Sequence, residues 1–249
     1  LLTMWGVIPA AGLGSRVESY HVDGCKELIE IAGRSMLART VDELVEAGIE
    51  GIVVVTSPHK PAIKRHLEEI YPNLETPIEF VEQTEADGLV PALELAREVV
   101  GDDMLVALPD NLFISDESPT GVLLETLSNF WVTVVAAVPV HSPWGDWLSD
   151  VGRLAPSDRE TMEHGWAPSR IMPKDKDRSF PITEPPSWRV TGRYLLTRDF
   201  WNLTGTDADR LDILCRRTRM LAMPIDAEYL DVGVKQGLLM AEDRLAKYD

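Results

Sequence analysis

Met4-Trp5-Gly6-Val7-Ile8-Pro9-Ala10-Ala11-Gly12-Leu13-Gly14-Ser15-Arg16 joins an apolar run to a loop of small residues. The run over 4–9 is short and uncharged, as a strand buried on both faces is. Small residues directly after it let the chain turn tightly and let backbone N–H groups approach an anion closely. Arg16 adds a planar, permanently charged group of donors suited to phosphate oxygens. The loop lacks the third glycine of a dinucleotide fingerprint, which would fall at Val17, and it lacks the G-K-[ST] of a P-loop. Taken alone, it reads equally as a tight strand-to-helix turn.

Outward from this stretch, strands and helices alternate. Helical spacing over 35–47 (Met36, Leu37, Val41, Leu44, Val45) ends at Gly48, a C-terminal cap signal. Gly51 to Thr56 (GIVVVT) reads as a second buried strand. A helix over 59–70, a strand over 78–81, a helix over 91–100 and a strand over 104–108 follow. This alternation predicts an α/β fold with a doubly wound, mostly parallel sheet. The second half is less regular, with strands expected over 131–140, 190–197 and 220–224, short strands over 151–154 and 169–172, and helices over 207–217 and 234–247. Between 141 and 188 the chain is rich in Pro, Trp, Asp and Ser, an elaborated region over the sheet. Its tryptophans, Trp144, Trp147, Trp166 and Trp188, read better as packing under loops than as stacking on a sugar.

A chain of 249 residues with 45% hydrophobic content suits one domain spanning 1–249 with a sizeable core. No apolar run approaches the ~20 residues that span a bilayer. The start carries no basic segment, so no signal peptide is expected. Cys25 and Cys215 are far apart and form no zinc or disulfide pattern, which suits a reducing cytoplasm. The net charge is −17, with 17 arginines against 7 lysines. That balance argues against nucleic acid or an anionic membrane as partner, while leaving room for small anions gathered in one basic pocket. The acidity fits a salt-rich habitat and an ordinary solvated surface equally. His21, His59, His66, His141 and His164 show neither metal nor triad spacing.

Two aspartates stand out. Asp110 follows the 104–108 strand in Leu108-Pro109-Asp110-Asn111, at the carboxyl end where open α/β sheets bind ligands, and a carboxylate there suits Mg²⁺. Asp231, in Tyr229-Leu230-Asp231-Val232-Gly233, precedes the closing helix. Either can also be a plain cap or turn residue. Gln83 and Gly88 flank a segment before the 91–100 helix. An amide there can read a pyrimidine edge and a glycine lets the backbone lie against a ring, though a surface turn reads the same way.

In order, these segments resemble the sugar-1-phosphate nucleotidylyltransferases over almost the whole chain, from Trp5 to about Leu245. Ala10-Ala11-Gly12-Leu13-Gly14-Ser15-Arg16 followed by Lys26-Glu27-Leu28 resembles that family's glycine-rich signature, with Cys25 where a proline is usual. The resemblance implies a Rossmann-like nucleotidyltransferase fold. It implies that Ala10, Ala11, Gly12, Leu13, Gly14 and Ser15 bind nucleotide, that Arg16 grips the departing pyrophosphate, and that Lys26 neutralises phosphate charge. It makes Asp110 and Asp231 the two carboxylates for Mg²⁺, and Gln83 and Gly88 the base contacts. Arg189-Val190-Thr191-Gly192-Arg193-Tyr194 resembles the sugar-side strand, placing Val190 and Gly152 at the sugar. Lys174 matches the lysine that holds the sugar phosphate, but Met172-Pro173 stands where an acid is usual, so strict glucose selectivity is not expected.

The activity so implied joins UTP or dTTP to a sugar 1-phosphate, such as glucose 1-phosphate, by direct attack, giving a nucleotide sugar and pyrophosphate. Two alternatives remain: a nucleotide-binding regulatory homologue without turnover, and a cytidylyltransferase acting on an alcohol phosphate. The sequence leaves the choice between UTP and dTTP and any homo-oligomeric state open.

Overall fold

The computed structural model describes residues 4–127, 132–140, 152–154, 165–172 and 187–245. In chain order these form β1 (Trp5–Pro9), two short 3₁₀ segments (Ser15–Tyr20 and Lys26–Leu28), β2 (Glu30–Ile31), β3 (Arg34–Ser35), α1 (Met36–Glu46), β4 (Gly51–Thr56), α2 (Pro61–Ile70), β5 (Ile78–Glu82), α3 (Leu89–Val100), β6 (Met104–Ala107), β7 (Asn111–Ile114) and α4 (Pro119–Leu127). Then come β8 (Thr133–Val140), β9 (Arg153–Leu154), β10 (Ile171–Met172), β11 (Ser187–Leu196), α5 (Arg198–Trp201), α6 (Asp207–Arg216), β12 (Met220–Pro224), β13 (Glu228–Asp231) and α7 (Lys235–Leu245).

The large sheet runs β10-β9-β11-β6-β1-β4-β5, with β8 on the other side of β11 and β12 beyond it. Strands β6, β1, β4 and β5 are mutually parallel, as the alternation predicts. β11 runs antiparallel to β6 and β8, and β12 is again parallel to β8. β1, β4 and β6 are apolar throughout because both faces are covered, whereas the edge strand β5 carries Glu79 and Glu82. On one face Ile8, Ile52 and Val54 pack with Leu37, Val41 and Leu44 of α1 and with Ile63 of α2. On the other, Val7, Val53 and Val55 pack with Val90 and Leu93 of α3 and Leu211 and Leu214 of α6. Adjacent strand residues point to opposite faces, so a two-sided core demands an unbroken apolar run.

Local signals set the helix starts. The Ser35 hydroxyl accepts from the Ala38 N–H at 3.1 Å and caps α1. Thr206 and Asp209 form a reciprocal capping box on α6. Gly48, at φ +78, follows α1 as expected.

The structure adds a feature that local sequence does not reveal. β7 and β13 form a separate antiparallel ribbon, pairing Asn111 with Asp231 and Phe113 with Tyr229. Leu112 and Leu230 of this ribbon pack with Val17, Ile31 and Leu238 in a third apolar cluster under α7. Trp166 is buried and packs on Trp188, with ring centroids 5.0 Å apart, so the structural reading of these two holds; Trp144 and Trp147 lie outside the described residues. No helix among the described residues is long and apolar enough to cross a membrane.

Candidate active site

The carboxyl ends of β1, β5 and β6 share one edge of the sheet, so the loop after β1, Gln83 and Asp110 are delivered to one place. The loop is anchored from below. Lys60, in the turn before α2, is buried and its Nζ donates to the Ala10 carbonyl at 3.0 Å and the Gly12 carbonyl at 2.5 Å. The same ammonium pairs with Glu27 at 2.9 Å, and that carboxylate is fully buried. With the loop's carbonyls engaged inward, Gly12, Leu13, Ser15 and Arg16 are left on the exposed side. Gly14 adopts φ +66, and a Cβ there would meet the Lys26 stem at 2.7 Å. Glycine is therefore needed both for the turn and for the lysine that passes beneath it.

Lys26 Nζ lies 2.5 Å from Asp110 Oδ2, and the Asn111 amide donates to the other Asp110 oxygen at 2.8 Å. Burial works against charge on both partners, but their attraction outweighs it. The Lys26 ammonium is held above its ordinary pKa and the Asp110 carboxyl below its own. Asp231 arrives on β13 in register with Asn111. A Cβ on Gly233 would lie 2.9 Å from an Asp110 oxygen and 3.1 Å from an Asp231 oxygen, so both carboxylates converge on the space that this glycine leaves. The Asp231 pKa is raised by burial and then by the charge of Asp110, with Arg189 and Arg16 partly countering both. Arg16 thus acts electrostatically on both carboxylates.

Two converging carboxylates, one destabilised by the other, are a donor set that fits a hard divalent cation. Among the described residues no cluster of three or more His, Cys, Asp or Glu could hold a metal ion. The remaining positions on such a cation would fall to substrate phosphates and water, which is how Mg²⁺ is commonly bound.

Gln83 follows β5 and is buried. Its Nε2 donates to the Gly88 carbonyl at 3.3 Å, and Gly88 itself sits at φ +104 as it enters α3. One N–H of the amide is thereby engaged, leaving the second N–H and Oε1. A cleft of about 320 Å³ opens over the carboxylates and reaches Leu89 at the start of α3. It is lined by Arg16, Asp110 and Asp231 and also by Gly152, Ile171, Arg189 and Val190. Gly152 and Val190 therefore share one cavity with the carboxylates. β11 carries a register shift between Val190 and Tyr194, where a Cβ on Gly192 would strike Leu108 and Asn111; bulges often sit beside sites.

Lys174, the sugar-phosphate lysine expected from the sequence, lies outside the described residues. Arg193, in the same motif as Val190, faces away from chemistry. It is almost fully buried, pairs with Glu43 at 2.6 Å, and donates to the Leu108 carbonyl at 3.0 Å. Two groups escaped the sequence reading. Lys60 sits before a proline at a helix start and looks like an ordinary surface lysine; the only cue was that the loop's carbonyls needed a donor. Arg189 looked like a strand residue, and it is a buried cation in the cleft.

A family model described as Nucleotidyl transferase matches residues 5–140. The UTP–glucose-1-phosphate uridylyltransferase 2 of Staphylococcus saprophyticus is 26% identical over 94% of this chain and 88% of its own length. The UTP–glucose-1-phosphate uridylyltransferase of Salmonella typhimurium is 27% identical over 97% of this chain and 92% of its own. A crystal structure of a UDP-glucose pyrophosphorylase complexed with UDP-glucose superimposes with a TM-score of 0.84 at 23% identity, covering 100% of both chains, which shows a shared fold.

Proposed function

This chain belongs to the nucleotidyl transferase family, and from that premise we propose that it joins UTP to a sugar 1-phosphate and releases pyrophosphate. The observation that carries the reading is the convergence of the anchored glycine loop, the Lys26–Asp110 pair and Asp231 at one end of a single cleft. The relatives named as uridylyltransferases support UTP as the nucleotide.

In this reading the backbone N–H groups over 10–15 and Arg16 receive the triphosphate. Lys26 sets a positive charge beside the reacting phosphate. The sugar phosphate is already anionic, so attack on the α-phosphorus needs no general base. The chain's task is to bring two anions together and to stabilise the charge that accumulates. Asp110 and Asp231 would hold Mg²⁺, which supplies further neutralisation of phosphate charge when bound. Replacing either aspartate by asparagine is expected to raise the Mg²⁺ concentration for half-maximal rate, because a neutral amide is a poor ligand for a hard cation. A titration curve identical to wild type would remove that residue from the metal site.

Base choice follows from Gln83. With one N–H held by Gly88, the other N–H and Oε1 remain, so the amide can pair with the N3–H donor and a neighbouring carbonyl of uracil. Thymine presents the same edge, so this contact accepts UTP and dTTP alike, while a purine is larger and presents a different edge. Pyrophosphate release measured across UTP, dTTP, CTP, ATP and GTP tests this. Gln83→Ala is expected to cost about 1–3 kcal/mol in kcat/KM for UTP and to narrow the gap to ATP. Wild-type kcat/KM for ATP or GTP equal to that for UTP would refute the assignment.

A further inference from the structure

Arg189 is a buried cation with unmet demands. It is 4% exposed, yet its Nε and Nη1 are buried without a hydrogen-bond partner among the described residues. Its one described hydrogen bond is from Nη2 to the Tyr229 hydroxyl at 3.2 Å, and the guanidinium carbon lies over that ring, 4.4 Å from its centroid. Buried guanidinium groups are ordinarily paired, because a charge withdrawn from water without hydrogen bonds is strongly destabilised. Arg189 nonetheless lines the same cleft as Asp110 and Asp231. The stacking on Tyr229 holds the cation in place without satisfying it.

Its position selects the group it would meet. Tyr229 and Asp231 are two residues apart on β13, so they share a face about 7 Å apart. The phosphates belong at the Asp231 end, with Arg16, Lys26 and Asp110. Arg189, over Tyr229, therefore stands beside that end, and of the two arginines it acts the more strongly on Asp231. Gly152, Ile171 and Val190 line the same cleft without charge, and Asp207 is a further carboxylate in its lining. In a hexopyranose 1-phosphate C6 is carried on C5, which shares the ring oxygen with C1, so a C6 carboxylate lies on the phosphate's side of the ring, within reach of a cation beside the phosphate end.

We propose that Arg189 receives a carboxylate carried by the sugar, so that the preferred acceptor is a hexuronic acid 1-phosphate rather than a neutral hexose 1-phosphate. A carboxylate brings both the negative charge and the lone pairs that Nε and Nη1 lack. The inference rests on the nucleotidylyl transfer proposed above and leaves its chemistry unchanged. A sugar phosphate oxygen bonds the α-phosphorus, the bond to pyrophosphate breaks, and the carboxylate is a bystander that fixes the ring.

The test measures pyrophosphate release from the full chain with UTP and Mg²⁺, comparing α-D-glucuronic acid 1-phosphate with α-D-glucose 1-phosphate. The wild type is expected to favour the uronate by roughly tenfold or more in kcat/KM, carried mainly by KM. Arg189→Gln is expected to lower the uronate-to-glucose ratio by about tenfold, and Arg189→Lys to keep part of the preference. A wild-type ratio at or below one overturns the inference. So does a loss in Arg189→Gln that is equal for both sugars, which would mark the arginine as a phosphate contact or a support for Tyr229. If Arg189→Gln does not fold, the wild-type ratio alone decides. Turnover of glucose 1-phosphate without a uronate preference defeats only this inference, whereas no turnover of any sugar 1-phosphate defeats the proposed transferase reaction itself.

Discussion

Replacing Lys60 by methionine is expected to lower stability by about 3–5 kcal/mol, the usual result of removing one member of a buried ion pair. For a chain of this size that corresponds to a fall of roughly 6–20 °C in Tm. The basis is the depth of the pair: the Glu27 side chain is 0% exposed and that of Lys60 6%, so the abandoned carboxylate has no water to turn to. The Ala10 and Gly12 carbonyls lose their donor in the same step. A double variant separates the two effects. Lys60→Met with Glu27→Leu is expected to regain much of the stability, since an apolar pair escapes the desolvation penalty. It is not expected to regain turnover, because nothing then holds the loop's carbonyls inward. Thermal unfolding and pyrophosphate release on the same samples check this. Full activity in the double variant would show that Lys60 serves stability alone.

Removing the charge of Lys26 is expected to lower kcat by a factor of about 10²–10³, as losing a transition-state charge partner does. Methionine is the better substitution, because the lysine stem fills the space under Gly14 and a truncation to alanine would also open a void there. The ammonium is favoured in its charged form by Asp110, so it carries its positive charge at neutral pH. The loss should appear in kcat, and the fall in Tm should be smaller than for Lys60→Met, because the Lys26 and Asp110 side chains keep 17% and 18% exposure. Near-normal turnover of a folded Lys26→Met variant would end the proposed role.

The parallel half of the fold was legible because its signals are local. GIVVVT in β4 is apolar throughout, and the spacing of Leu37, Val41 and Leu44 follows the period of a helix whose one face is buried. The β7–β13 ribbon was not legible. Each strand is four residues long, and Asn111 pairs with Asp231 across more than a hundred intervening residues. No periodicity announces such a pairing. The site was legible as a set of motifs but not as an arrangement. Lys26 and Asp110 could be marked singly, while their contact depends on the glycine loop folding over the lysine. Arg193 and Arg189 lie four residues apart in one strand, and only packing separates them. Arg193 is neutralised by Glu43 at 2.6 Å, whereas among the described residues Arg189 makes no such close ion pair.

The ribbon also orders events in time. A nascent chain that has emerged through β7 already possesses the glycine loop, Lys26, Lys60 and Asp110, and its local βα units can begin to pack on the ribosome. It has no Asp231, and β7 has no neighbour to pair with until β13 appears. Such a fragment offers a cation one carboxylate that Lys26 already neutralises, so it has little means of retaining a divalent ion or of acting on nucleotide. Emergence of β13 from the ribosome and assembly of the carboxylate pair are then one event, and catalytic competence is deferred until nearly all the sheet exists.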